Sequence, residues 1–149
     1  MSECALTIRR LRAPHEWAAA LAVRVAVFVH EQNGPADEEP DADDARAIHF
    51  VAAEGDRIVG TARVVWLAPE LAKIGRVALL PDYRGRGCGR RLMLAAIACC
   101  EERGAREIVL HAQRTALGFY QRFAFVAEGP EFDEGGIPHR RMVRRIADG

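Results

Sequence analysis

Arg84-Gly85-Arg86-Gly87-Cys88-Gly89-Arg90-Arg91 places three glycines in five positions, between an apolar run that stops at Pro81-Asp82 and a long helical pattern. Glycines at this density let the main chain bend tightly and gather several N–H groups into one concavity. The helix that opens here brings unpaired first-turn donors and the positive end of its dipole. Together they form a seat for phosphate oxygens. Arg84, Arg86, Arg90 and Arg91 surround it with positive charge. The dinucleotide fingerprint G-x-G-x-x-G fits Gly85 and Gly87 but meets Arg90 where its third glycine belongs, and the stretch follows the fourth strand rather than the first. A plain reversing turn needs neither three glycines nor a helix start framed by arginines.

Around this turn the hydrophobic periodicity orders the chain. Lys73–Leu80 is a strand leading into it. From Gly87 to Arg103, Leu92, Ala96 and Cys99 share a helical face, and Gly104 stands where a helix C-terminal glycine belongs. Glu107–Ala112 reads as a strand, Ala116–Arg122 as a short helix, and Pro138–Ile146 as a last strand. Upstream, Leu6–Leu11 alternates as a strand. Pro14 opens a helix carrying Trp17, Leu21, Val25 and Phe28, which ends near His30. Ile48–Ala53 and Ile58–Leu67 form a hairpin through Glu54-Gly55-Asp56-Arg57. Asp37 to Asp44 holds six acids in eight positions and reads as a solvated loop. The order is strand, helix, three strands, helix, strand, helix, strand. Crossovers demand parallel pairing and hairpins antiparallel pairing, so the fold class is α/β, of the α+β mixed-sheet kind, with helices on the sheet faces.

The 149 residues suit one domain, 1–149. Half the residues are hydrophobic, and Lys+Arg equals Asp+Glu at 21 each. A net charge of zero argues against a coat for nucleic acid or for an anionic membrane. No apolar run reaches the ~20 residues of a membrane span, and Met1-Ser2-Glu3-Cys4 is not the start of a secretory signal. Ser2 is the only serine, which leaves no Ser-His-Asp nucleophile. Lys73, the only lysine, has no phosphate-loop glycines before it. Cys4, Cys88, Cys99 and Cys100 lack metal-ligand spacing and read as reduced thiols of a cytoplasmic protein, so no metal is expected. Cys88, at a helix N-terminus, reads as a small filler residue.

The residues carry a resemblance. Arg84-x-x-Gly87-x-Gly89 is similar to the Q/R-x-x-G-x-G/A motif of the GNAT-superfamily N-acetyltransferases, and Ile74 to Tyr83 resembles the strand that leads into it. Ala116-Leu117-Gly118-Phe119-Tyr120-Gln121-Arg122-Phe123-Ala124-Phe125 resembles the family's A-x-x-F-Y-x-x-x-G-F element. Two motifs in the right order are more specific than either alone. The likeness runs from Leu6 to Ile146, and Val27-Phe28-Val29-His30-Glu31-Gln32 with Gly136-Ile137-Pro138-His139 resembles the ElaA-like/YjcF-like branch.

The resemblance implies the GNAT acyl-CoA N-acyltransferase fold, a central sheet splayed between its fourth and fifth strands and flanked by helices. It implies acetyl-CoA as co-substrate. The pyrophosphate would rest beside Arg84 on Gly85, Arg86, Gly87, Cys88, Gly89 and Arg90, and the pantetheine arm would pair with Val77, Ala78 and Leu79 like an added strand. The chain departs from the family where Gln113 replaces a common asparagine and Ala124 the glycine of the G-F pair.

The chemistry implied is direct attack by a primary amine on the CoA thioester in a ternary complex. A main-chain N–H near Ala78 or Leu79 would face the developing oxyanion. Tyr120 matches the family tyrosine that protonates the leaving thiolate; otherwise it is a packing aromatic. His111, on a strand lining the cleft, is a candidate base because an imidazole takes up protons near neutrality; otherwise it is structural. Glu31, after the first helix, is a second candidate, for proton relay or for holding an ammonium; otherwise it is a solvated helix end. A water chain serves as base in many members of the family. The acceptor is a small-molecule amine or a peptide or protein amine, with no nucleic-acid or membrane partner, and a homodimer through sheet edges is open. The alternative is a non-catalytic module that binds or senses acyl-CoA.

Overall fold

The computed structural model describes residues 4–146. Its single seven-stranded sheet has the order β1-β2-β3-β4-β5-β7-β6, with β1 Thr7–Arg10, β2 Ile48–Glu54, β3 Arg57–Ala68, β4 Leu71–Leu79, β5 Glu107–Gln113, β6 Val126–Glu134 and β7 Ile137–Arg145. All neighbours pair antiparallel except β4 and β5, which run parallel. Among the described residues no helix is long and apolar enough to cross a membrane.

Alternation in β2 shows why the sheet is covered on both faces. Phe50 and Ala52 pack with Val64, Ile74, Leu92, Met93 and Ala96. Val51 and Ala53 pack with Ala20, Val23 and Val27. The first set lies under α2 (Cys88–Glu102), the second under α1 (Pro14–Arg24). Pro14 occupies the first turn of α1, where its missing N–H costs nothing. Glu16 accepts from Arg12 N–H at 2.8 Å and from Arg9 at 2.9 and 2.6 Å.

The expected first helix does reach His30, but not as one α-helix. From Val25 to Glu31 it widens into a π-turn, with Gln32 N–H reaching back to Val27 O at 3.1 Å. The extra residue per turn carries Glu31 and Gln32 over the open edge of β4.

Two sequence expectations are corrected here. Val126–Glu134 is a strand, so the sheet has seven strands, not six. Its interior Gly129-Pro130 breaks the alternation, and the pairing with β7 slips between Glu128 and Phe132. The acidic stretch is not a solvated loop. Glu39 and Asp44 grip Arg24, which is 1% exposed. Asp41 and Asp44 hold Arg63 at 2.6 and 2.8 Å, and Glu39 meets Arg76 at 2.7 Å. A buried guanidinium demands such partners, and three of the six acids supply them.

Candidate active site

β4 and β5 pair only over Leu71–Lys73 against Glu107–Val109. Beyond that point they diverge and leave a gap between two halves of one sheet. β4 also bulges where its pairing with β3 slips between Thr61 and Arg63, and Arg76 takes φ +52°. Past the bulge, Leu80 N–H donates to Val59 O at 2.9 Å. Alternation therefore turns the main chain of Leu79 and Val77 to the other edge, toward the gap, and Ala78 toward β3.

The glycine turn sits at the mouth of this gap. Gly85 and Gly87 take φ +79° and +83°, and Gly87 caps α2 without a side-chain bond. The first turn of α2 closes with Arg91 N–H on Gly87 O at 3.1 Å, so the amides of Gly87, Cys88, Gly89 and Arg90 have no partner within the helix. At Gly89 a Cβ would meet the Phe119 ring at 3.5 Å, an ordinary van der Waals contact, so α3 (Leu117–Gln121) packs directly against the first turn of α2.

The four arginines part company. Arg86 and Arg90 are exposed and make no ion pair among the described residues. Arg84 folds back, donating to Leu79 O at 3.0 and 2.7 Å and to Glu31 at 2.8 and 2.8 Å. Arg91 is committed elsewhere, donating to Leu6 O at 2.7 Å. Cys88 is not a free filler: it forms a disulfide with Cys4, so it neither titrates nor reacts as a thiol, and only Cys99 and Cys100 are free and buried.

A cavity of about 250 Å³ fills the gap, lined among others by Phe28, Lys73, Gly75, Val77, His111 and Tyr120. Tyr120 lies on the short α3 (Leu117–Gln121). Its ring stands edge-on to Phe119 at 5.0 Å, and its hydroxyl has no hydrogen-bond partner among the described residues. Burial pushes that hydroxyl up to about 12, so it stays protonated.

His111 Nδ1 lies 3.0 Å from Glu134 Oε1. A carboxylate only accepts, so Nδ1 carries the proton in this bond. The His111 bond in turn holds Glu134 below the usual carboxylate range. His139 brings Nε2 to 3.6 Å from Glu134 Oε2, while its Nδ1–H donates to Ile137 O at 2.7 Å. Glu31 is likewise held low by its Arg84 bonds. Gln113, at the asparagine position, donates to Gln32 at 2.9 Å. Glu31 and Gln32 thus tie the end of the π-turn to both lips of the gap.

Sequence pattern alone left Glu134, His139 and Lys73 outside the site. A signal for the first two was present: Gly135-Gly136 between alternating residues marks a two-residue hairpin, and both glycines take positive φ. Among the described residues no cluster of His, Cys, Asp and Glu is arranged to hold a metal ion.

A mixed sheet parted beside a glycine-rich helix start defines the architecture of an acyl-CoA-type transferase. The chain belongs to the GNAT acetyltransferases: the family model described as "Acetyltransferase (GNAT) domain" matches residues 17–146. It is 35% identical over 127 residues to "Uncharacterized N-acetyltransferase YjcF" of Bacillus subtilis (strain 168), covering 84% of this chain and 89% of that one. It is 34% identical over 133 residues to "Protein ElaA" of Escherichia coli (strain K12), covering 86% of each. The crystal structure of Escherichia coli ElaA superposes with a TM-score of 0.85 over 94% of this chain and 99% of that one, at 30% identity. That of an acyl-CoA N-acyltransferase from Pseudomonas aeruginosa gives 0.84 over 94% and 99%, at 28% identity.

Proposed function

We propose that the protein is an acetyl-CoA-dependent N-acetyltransferase that moves an acetyl group from the CoA thioester to a primary amine by direct attack in a ternary complex. The observation that carries this reading is the juxtaposition, in one gap, of free α2 amides, outward-turned main chain on β4, and the unpartnered hydroxyl of Tyr120. The diphosphate of the co-substrate fits the amides of Gly87 to Arg90 with Arg86 and Arg90 beside them, and its pantetheine arm fits the open edge at Val77 and Leu79. Acetyl-CoA supplies the activated acyl group.

The residues of the chain divide the remaining work. His111 Nε2 accepts a proton from the attacking nitrogen as the N–C bond forms, and Glu134 holds the ring in the tautomer that allows it. The Leu79 N–H faces the developing oxyanion. As the C–S bond breaks, the sulfur takes the Tyr120 proton. Tyr120 and His111 then return to their starting states by proton exchange through solvent. Glu31 acts as a positioning residue, holding Arg84 across the gap, because a carboxylate clasped by a guanidinium is a poor proton acceptor.

Acetyl-CoA at a hundred times its dissociation constant stabilises the folded state by about 2.7 kcal/mol, whereas NADH and ATP leave the melting temperature where it was. Thiol release with an amine panel then separates catalysis from acyl-CoA sensing, the second reading. A melting temperature indifferent to acetyl-CoA overturns both.

A further inference from the structure

We infer that the acceptor amine also carries a carboxylate, and that Lys73 is the residue that seats it. The inference rests on the acetyltransferase reading above and names the substrate class for that site.

Lys73 is the only lysine in the chain. It occupies the last paired position of β4 against β5, opposite Val109, where the gap begins, and it lines the cavity. The other cations of that lining are spoken for: Arg63 by Asp41 and Asp44, Arg76 by Glu39 and Asp41. Lys73 makes no hydrogen bond or ion pair among the described residues, although it is half-buried. Burial lowers its pKa, the mark of an ammonium short of counter-charge. Glu134 lies near enough to oppose that shift, but its oxygens are engaged by His111 and His139.

An unpaired cation inside a cavity is an anion seat, because an incoming carboxylate replaces the water that burial removed. The placement also sets the acceptor's length. His111 follows Val109 by two positions on the same face of β5, about 7 Å further along the gap. A carboxylate on Lys73 therefore leaves an amine only a few carbons away at the level of His111. The acidic rim does not favour a polyamine instead. Glu39 is bound by Arg24 and Arg76, and Asp43 by Arg46 at 2.8 Å. Of the rim carboxylates, Glu38 alone makes no ion pair among the described residues, and it is exposed.

The test compares free amino acids with their carboxamides, and with spermidine, as acceptors for the full-length protein. The ratio of kcat/KM for an amino acid over its own amide is at least tenfold in the wild type. In Lys73→Met the ratio collapses toward one, mainly through KM, and in Lys73→Arg it is largely retained. Because the readout is a ratio, general damage to the fold cancels. Equal use of acid and amide, preference for spermidine, or a ratio unmoved by Lys73→Met overturns the inference while leaving the acetyltransferase reading intact. Calorimetry of amino acid against amide, without acetyl-CoA, decides the seat independently of turnover: binding of the acid that Lys73→Met abolishes supports it, and no discrimination refutes it. Failure of acetyl-CoA to bind refutes the acetyltransferase reading instead.

Discussion

Glu31 and Arg84 form a bidentate ion pair, with both oxygen–nitrogen distances 2.8 Å, that joins the end of the π-turn to the residue opening the glycine turn. Arg84 simultaneously caps Leu79 O, the last carbonyl of β4. One guanidinium therefore ties together helix end, strand end and glycine turn. Both side chains are about two-fifths exposed, so the pair contributes little to stability.

The first expected outcome concerns that pair. Glu31→Gln shifts stability by less than about 1 kcal/mol, as an exposed ion pair should. It lowers kcat only a few-fold and leaves the pH profile in place. A loss of 10²-fold or more, as removal of a general base gives, would assign Glu31 the proton transfer instead. Steady-state kinetics between pH 6 and 9 with a thiol assay decides it.

Tyr120→Phe lowers kcat by about 10²- to 10⁴-fold while leaving the dissociation constant for acetyl-CoA within a few-fold of the wild type. With the hydroxyl at about 12, the wild type keeps its activity through pH 10 as far as this group is concerned. An activity limb near pH 9 that disappears in Tyr120→Phe would contradict the assignment.

Asp44→Asn breaks a carboxylate held by both Arg24 and Arg63 and costs about 3 kcal/mol. At this chain length that lowers Tm by roughly 10 °C. The pH dependence follows from the same pairs. Burial alone would raise the Asp44 pKa, but hydrogen bonds from Arg24, the Asp41 amide and Arg63 overturn it and hold the group far below its ordinary value. Asp41 is held low by Arg63 against burial. A depressed folded-state pKa contributes stability that is complete above the unfolded value of about 4 and is lost as pH falls below it. Acid unfolding by circular dichroism shows the wild type weakening below about pH 4 and Asp44→Asn weakening less steeply.

Ala124→Gly stabilises. Ala124 takes φ +65° in the turn after α3, where Phe123 N–H and Ala124 N–H close on Tyr120 O and Gln121 O at 3.0 and 3.1 Å. A left-handed alanine costs about 1–2 kcal/mol, and the extra freedom of an unfolded glycine returns part of that. The net gain is about 0.5–1 kcal/mol, read as a rise of a few degrees in Tm. A fall in Tm would show that the turn depends on the Ala124 methyl group.

The sequence announces the glycine turn because its three glycines and the helix after it act locally, and it announces β2 and β3 because their apolar alternation is unbroken. The gap between β4 and β5 came only through family resemblance: three paired residues followed by divergence leave no local trace. β6 was hidden by Gly129-Pro130, and with it went Glu134, a partner of His111 that lies 23 positions away. The inward turn of Glu39, Asp41 and Asp44 was equally invisible, since it depends on guanidinium groups brought from α1, β3 and β4. The Cys4–Cys88 bond spans 84 positions, and spacing carries no word of it.

Between β4 and β5 only Leu71–Lys73 and Glu107–Val109 stitch one half-sheet to the other. The remainder of that seam is a wedge, with the π-turn strapped across its mouth. A molecule laid along the open edge would act as a keystone, completing hydrogen bonds that the fold leaves vacant. Occupancy would then register as mechanical stiffness of the whole sheet.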